Sequence, residues 1–340
     1  MHEDRRDFLK QAGVAGVAVA VGGCASMGET PMADSAMSRA EGGPMPRGMV
    51  LLGIMVDGKP TLGVKTQRGI LDVRRATQQF GMRAPTTVDE VVRHGDGGLG
   101  ALVKTATAQG STSLFVDEAS ATFCPCVLDP EKIVCVGLNY AKHARETNNP
   151  IPKLPILFNK YNNALAGHRS VIRVSEEPTE KVDYEVELVI VLGRVARNVS
   201  EADALSYVFG YCVGNDLSAR DLQQRTSQWM IGKSLDGFAP IGPYLVTADQ
   251  VPDPNALALD TKVNGEVRQS SNTADMVYNC KQLVAYASKM FTLRPGDLIF
   301  TGTPEGVISG YPKDRQVWLK AGDKLTNRIE RLGELAFTLG

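Results

Sequence analysis

Three observations predict an α+β fold that is mostly β. Short runs rich in Val, Ile, Leu and Thr recur along the chain, separated by turn residues. Asp57-Gly58-Lys59-Pro60 and Asn264-Gly265 fall between such runs, as hairpins require. Helix-length stretches are few, and a chain of 340 residues, 43% hydrophobic and 22% charged, has room for a large core and two domains. The formal net charge of −1, without a basic block, argues against a nucleic-acid partner.

Residues 1–24 read as a leader. Arg5-Arg6-Asp7-Phe8-Leu9-Lys10 precedes a small-residue apolar run from Ala12 to Gly23 that is too short to span a membrane well. The paired arginines resemble a twin-arginine export signal, which places the protein in the periplasm of a bacterium. Val21-Gly22-Gly23-Cys24 resembles a lipobox, in which Cys24 would carry a lipid and tether the protein to a membrane. Residues 25–47, rich in Met, Ser, Gly, Pro and Glu without periodicity, read as a flexible tether.

Residues 48–127 read as a small N-terminal α/β domain. Met49 to Val56 and Thr61 to Thr66 make a hairpin, and helices follow near Val88 to Val92 and Gly98 to Ala108. Nothing there looks catalytic, and His94 reads as a surface loop residue. Cys124-Pro125-Cys126 has the wrong spacing for a zinc knuckle, and Cys135 and Cys212 lie in apolar runs, so no structural disulfide is expected.

Residues 128–340 form the larger unit. Lys132 to Gly137 is its first strand and runs into Leu138-Asn139-Tyr140-Ala141-Lys142-His143-Ala144-Arg145-Glu146. On a helix, His143 and Glu146 share a face, and a carboxylate beside an imidazole fixes its tautomer and equips it as a general base. Pro150, Pro152 and Pro155 then interrupt the helix and allow a mobile flap.

The stretch from Asp183 to Gly193 organises the rest. It reads as one strand, with Tyr184, Val186, Leu188, Ile190 and Leu192 on a core face. The other face carries Asp183, Glu185 and Glu187 and then Val189 and Val191, so carboxylates occupy one end of a buried surface. Burying them unpaired costs several kcal/mol each, about the penalty that a hard divalent cation such as Mg²⁺ or Mn²⁺ removes. Asp216, where the apolar run from Val208 stops, can complete that site, and Lys233, between apolar residues, can face an anionic substrate. Beyond it come a short helix from Glu201, strands at Pro243 to Thr247 and Ala258 to Val263, a helix from Asn279 to Met290, and a strand at Leu298 to Phe300. That last strand ends in Thr301-Gly302-Thr303-Pro304-Glu305-Gly306, which lacks a phosphate-loop fingerprint.

Five blocks in order carry a resemblance to the fumarylacetoacetate hydrolase family over residues 132–340. They are Gly137-Leu138-Asn139-Tyr140 with His143 and Glu146, Asp183-Tyr184-Glu185-Val186-Glu187, Asn215-Asp216-Leu217-Ser218-Ala219-Arg220-Asp221, Lys233-Ser234, and Thr301-Gly302-Thr303-Pro304. The resemblance implies a mixed β-roll catalytic domain, a homodimer, and one Mg²⁺ or Mn²⁺ per subunit on Glu185, Glu187 and Asp216. It implies a small 2-oxo or dioxo acid as substrate, His143 and Glu146 as a lid dyad that activates water, and Lys233, Gln223 and Thr303 at the substrate. Lys160 matches a Phe-x-Lys element near the site, although Tyr161 stands where the family has Pro. The complete dyad makes C–C hydrolysis of an acylpyruvate or fumarylacetoacetate-like acid the expected reaction. Isomerisation or decarboxylation of oxaloacetate-like acids, and a non-catalytic exported binding protein, stay open beside it.

Overall fold

Asp57 and Gly58 both hold positive φ (52° and 72°), as do Asn264 and Gly265 (52° and 84°), which is what a two-residue type I′ turn demands. Val50–Val56 therefore folds back on Lys59–Thr66, and Ala258–Val263 on Glu266–Asn272. The computed structural model describes residues 43–340. The expected leader, with Cys24, and residues 25–42 of the expected tether lie outside the described residues.

Strands dominate, with helices set against them, so the fold is α+β and mostly β. The larger sheet has ten strands, and from Val50–Val56 to its edge it runs in the order Val50–Val56, Tyr244–Thr247, Val208–Asn215, Val186–Leu192, Leu298–Phe300, Ile133–Gly137 and Ile156–Lys160. A second sheet of five strands includes the hairpin at Asn264 together with Lys324–Ile329 and Gly333–Leu339. The segment 48–127, expected as a small N-terminal domain, extends the larger sheet through Val50, Leu51 and Leu52 paired with Val246, Leu245 and Tyr244.

Val186–Leu192 is buried at every position, because it separates two hydrophobic clusters. Leu188, Ile190 and Leu192 pack with Leu259, Leu325 and Phe337 of the second sheet and with Leu283 and Val284 of the helix Cys280–Met290. Val189 and Val191 pack on the opposite side with Phe300, Leu51 and the helix residues Val88, Val91 and Leu102. The alternation of apolar side chains thus serves two cores rather than one core and solvent.

The expected single strand from Asp183 to Gly193 is broken. Val182–Asp183 pairs with Ser218–Ala219, whereas Val186–Leu192 joins the ten-stranded sheet. Between them, side chains take over the backbone donors that a ladder would serve: Glu185 N donates to Asn215 Oδ1 (3.0 Å) and Val186 N to Gln269 Oε1 (3.0 Å). The helix expected from Glu201 is a single 3₁₀ turn over Ala204–Tyr207, and His94 is the exposed last residue of the helix Val88–His94. The five described cysteines are buried free thiols.

Candidate active site

The break in the central strand is where the carboxylates gather. Glu185 lies in the break, Glu187 is the second residue of the resumed strand, and Asp216 follows the last residue of the neighbouring strand Val208–Asn215. One oxygen from each comes within 4.8 Å of the others, and the three residues are 4%, 2% and 0% exposed.

Basic groups reach this cluster from three elements. Lys233, at the end of the short helix Met230–Lys233, donates to Glu185 Oε2 and Asp216 Oδ2, both at 2.7 Å. Arg220, at the start of Arg220–Gln223, donates from Nη2 to Glu185 Oε1 (2.6 Å), from Nε to Asp183 Oδ2 (2.9 Å) and from Nη1 to Gln223 Oε1 (3.0 Å). Lys160, at the end of an edge strand, donates to Asp216 and to the Leu217 carbonyl (3.1 Å). Among the described residues, Glu187 touches none of the three and accepts only from Gly302 N, at 2.7 Å.

The titration of the cluster follows this division. Burial pulls the Glu185 carboxyl up, but Lys233 and Arg220 outweigh it and hold the group well below the usual carboxylate range. Burial, with Asp216 and Glu185 adding their repulsion, pushes Glu187 well above it. For Lys233, burial lowers the ammonium, and Asp216 and Glu185 more than restore it.

The donor set fits a hard divalent ion. It is all carboxylate, without Cys or His, and Glu187 lies beside two like charges with no cation paired to it among the described residues. Glu185, Glu187 and Asp216 are the residues that would hold Mg²⁺ or Mn²⁺.

A cavity of about 660 Å³ opens over these carboxylates. His143 and Glu146 line it from the helix Ala141–Glu146, with His143 Nδ1 2.8 Å from Glu146 Oε1. Glu146 Oε2 accepts from Gly306 N at 2.9 Å, so the carboxylate is fixed from both sides. An Nδ1–H donated to Glu146 leaves Nε2 as the basic nitrogen of the imidazole. Gln223, Lys233 and Thr303 also line the cavity, but the Thr303 hydroxyl is committed, donating to Val186 O (3.0 Å) and accepting from Gln269 Nε2 (2.8 Å).

Lys160, expected at the substrate, is absent from the cavity lining; its ammonium sits behind Asp216. Asp183, expected on the carboxylate face, points away from the cluster. It accepts from Arg220 and from the backbone N–H groups of Ile308 (2.8 Å) and Ser309 (3.0 Å). Sequence reasoning assigned no role to Arg220, to Trp229, or to the segment from Ser309 to Gln316, which line the cavity except at Asp314 and Arg315. Arg220 had a signal, since it lies in a matched block beside apolar residues; the segment had none.

The fold and this site together define a β-rich protein whose buried carboxylates can bind a divalent cation at the floor of a small-molecule cavity. The chain belongs to the fumarylacetoacetate hydrolase family: the pattern for the fumarylacetoacetate (FAA) hydrolase C-terminal domain matches residues 132–339. Among its relatives is the fumarylacetoacetate hydrolase domain-containing protein 2 homolog of Dictyostelium discoideum, 50% identical over 220 residues, or 61% of this chain and 71% of that one. A mitochondrial oxaloacetate tautomerase of Bos taurus is 41% identical over 278 residues, or 81% of this chain and 85% of that one. Maleylpyruvate hydrolase from Sphingobium sp. SYK-6, solved with manganese(II) and pyruvate, is 30% identical with a TM-score of 0.67, covering 86% of this chain and 98% of that one.

Proposed function

We propose that the protein is a divalent-metal-dependent tautomerase of a short 2-oxo diacid, interconverting the keto and enol forms of oxaloacetate. The observation that carries this reading is that the His143–Glu146 pair and the three carboxylates line one cavity. The similarity to an oxaloacetate tautomerase across most of both chains supports it.

A cation on Glu185, Glu187 and Asp216 would supply Lewis acidity, making the C3 hydrogens of a bound 2-oxo acid easier to remove. His143 Nε2 takes one of those protons and returns it to the C2 oxygen, so the proton count is unchanged and no bond between carbons breaks. Glu146 stabilises the imidazolium in between, and Gly306 keeps Glu146 in place. Lys233 and Arg220 offset the negative charge of Glu185 and its neighbours, so the floor with its cation in place would accept an anionic substrate.

Hydrolysis of an acylpyruvate, the reaction expected from the sequence, is the second reading. It requires the same dyad to activate a water against the distal carbonyl, and the similarity to maleylpyruvate hydrolase favours it.

The test is to follow the enol absorbance of oxaloacetate with purified protein and Mn²⁺ or Mg²⁺, and to analyse the products by mass spectrometry. Metal-dependent interconversion, lost with EDTA and leaving the four-carbon acid intact, supports the tautomerase. Pyruvate and a second acid released from an acylpyruvate, without an effect on oxaloacetate, moves the assignment to a hydrolase. Binding without turnover of either leaves a binding protein.

A further inference from the structure

The cavity is graded in burial. Its floor is made by Glu185, Glu187, Asp216 and Lys233, none more than 4% exposed. Its rim is made by exposed groups, among them Asn149, Gln224 and Lys313. A 2-oxo acid held at a cation on the floor would have its remaining chain directed to that rim, where the cavity opens.

Charge is spent on the floor. Every donor there that could meet a second carboxylate already has a protein acceptor: Lys233 holds Glu185 and Asp216, and Arg220 holds Asp183, Glu185 and Gln223. Lys313 differs. Among the described residues it is the one basic side chain of the lining with neither an ion pair nor a hydrogen bond to another side chain. Asp314 and Arg315 follow it in the same 3₁₀ turn and do not line the cavity.

The backbone beneath Lys313 is held. Gln316 Nε2 donates to Ser309 O (3.2 Å) and Tyr311 O (2.9 Å), closing the segment on itself. Asp183 accepts the N–H groups of Ile308 and Ser309 at its start, and the same carboxylate orients Arg220. The lysine therefore stands on a backbone tied to the floor, rather than on a free loop.

The geometry points to Lys313 as the residue that selects acids carrying a second, distal carboxylate. This rests on reading the cavity as a 2-oxo acid site and goes further by naming the group that reads the far end. The ammonium pairs with the distal carboxylate at the rim, where the dielectric is high and its contribution is selectivity rather than tight binding.

A matched pair of probes tests it. 2-Oxoglutarate and 2-oxovalerate have the same chain length and differ only in the distal carboxylate, and both are chemically stable. Their affinities for the full-length, Mn²⁺-loaded protein are measured by calorimetry for the wild type, Lys313→Gln, Lys313→Arg and Lys313→Glu. The expected result is a preference of about fivefold for the diacid in the wild type, kept by Lys313→Arg, lost in Lys313→Gln and reversed in Lys313→Glu. A wild type without the preference, or a Lys313→Gln protein that keeps it, overturns the inference while the tautomerase reading is judged separately by turnover. A wild type that binds neither acid also overturns the inference, and turnover of oxaloacetate alone then decides the tautomerase reading.

Discussion

Arg220 Nε donates to Asp183 Oδ2 at 2.9 Å across the break in the central strand, with Asp183 fully buried and Arg220 7% exposed. The same aspartate receives Ile308 N and Ser309 N, and the same guanidinium holds Glu185. One ion pair thus ties a metal-ligand candidate to the segment that forms the cavity rim.

Replacing Asp183 by Asn keeps the shape and removes the charge. Arg220 is then left with Glu185 as its one carboxylate partner, and breaking a buried pair of this kind costs about 3–5 kcal/mol. We expect Asp183→Asn to lower the urea midpoint accordingly and to raise KM, because the rim segment loses its charged anchor. An unchanged midpoint would mean that the pair contributes no net stability.

His143→Ala and Glu187→Gln separate the chemistry from the metal. The first is expected to lower kcat by about 10²-fold or more with Mn²⁺ affinity unchanged, because His143 handles the proton and is not among the three carboxylates. The second is expected to weaken Mn²⁺ binding by about tenfold or more. Calorimetric titration of metal into each variant, beside its kcat, decides the assignment. Intact metal affinity in Glu187→Gln would argue against the three-carboxylate site.

Lys160 carries a prediction that opposes the one its sequence suggests. If it touched substrate, Lys160→Met would raise KM. Placed behind Asp216, it should instead cost stability, about 3–5 kcal/mol for a broken buried pair, with KM at saturating metal changed by less than about threefold. Denaturation curves and steady-state kinetics on one preparation distinguish the two.

His168 sets an acid limit. Burial, with Arg169 adding to it, pushes the imidazole down to about 4 from 6.5, against a small opposing pull from Glu118. Its Nδ1 accepts from Ala336 N at 3.0 Å, which a protonated ring cannot do. Between these two values the unfolded chain binds a proton that the folded chain does not, so stability falls as pH drops from about 6.5 to about 4 and the contribution is level outside that window. Melting temperatures across that range should fall less steeply in His168→Asn, whose amide oxygen can still accept from Ala336. Parallel curves would exclude His168 as the source.

Much of this could be read from the chain. Alternation found Val50–Val56 and Ala258–Val263, and Asn264-Gly265 fixed a hairpin, because each signal is local. Glu185, Glu187 and Asp216 were legible because carboxylates at the end of an apolar run demand a partner. Asp183 was not, since its partners Ile308 and Ser309 lie more than a hundred residues away and offer only backbone N–H groups, which every residue but proline has. The rim segment from Ser309 to Gln316 has no periodicity and owes its shape to Gln316 and Asp183. Lys160 misled for a related reason: a buried ammonium beside a site looks the same in sequence whether it faces the ligand or the residue that holds it.

The chain from Gly302 to Ser309 meets its three carboxylate partners, Glu187, Glu146 and Asp183, through main-chain N–H groups at Gly302, Gly306, Ile308 and Ser309. Gly302 and Gly306 are held to glycine by positive φ (96° and 101°) and by close neighbours, whereas the rim beyond Gly310 presents side chains to the cavity. The architecture is therefore divided: Tyr311, Pro312 and Lys313 face the cavity without a side-chain hydrogen bond to the chelating or proton-handling groups, whereas Gly310 lies against Glu146 and admits no side chain. A scaffold anchored in this way can diversify its substrates by substitution at one short segment, without first dismantling the machinery that acts on them.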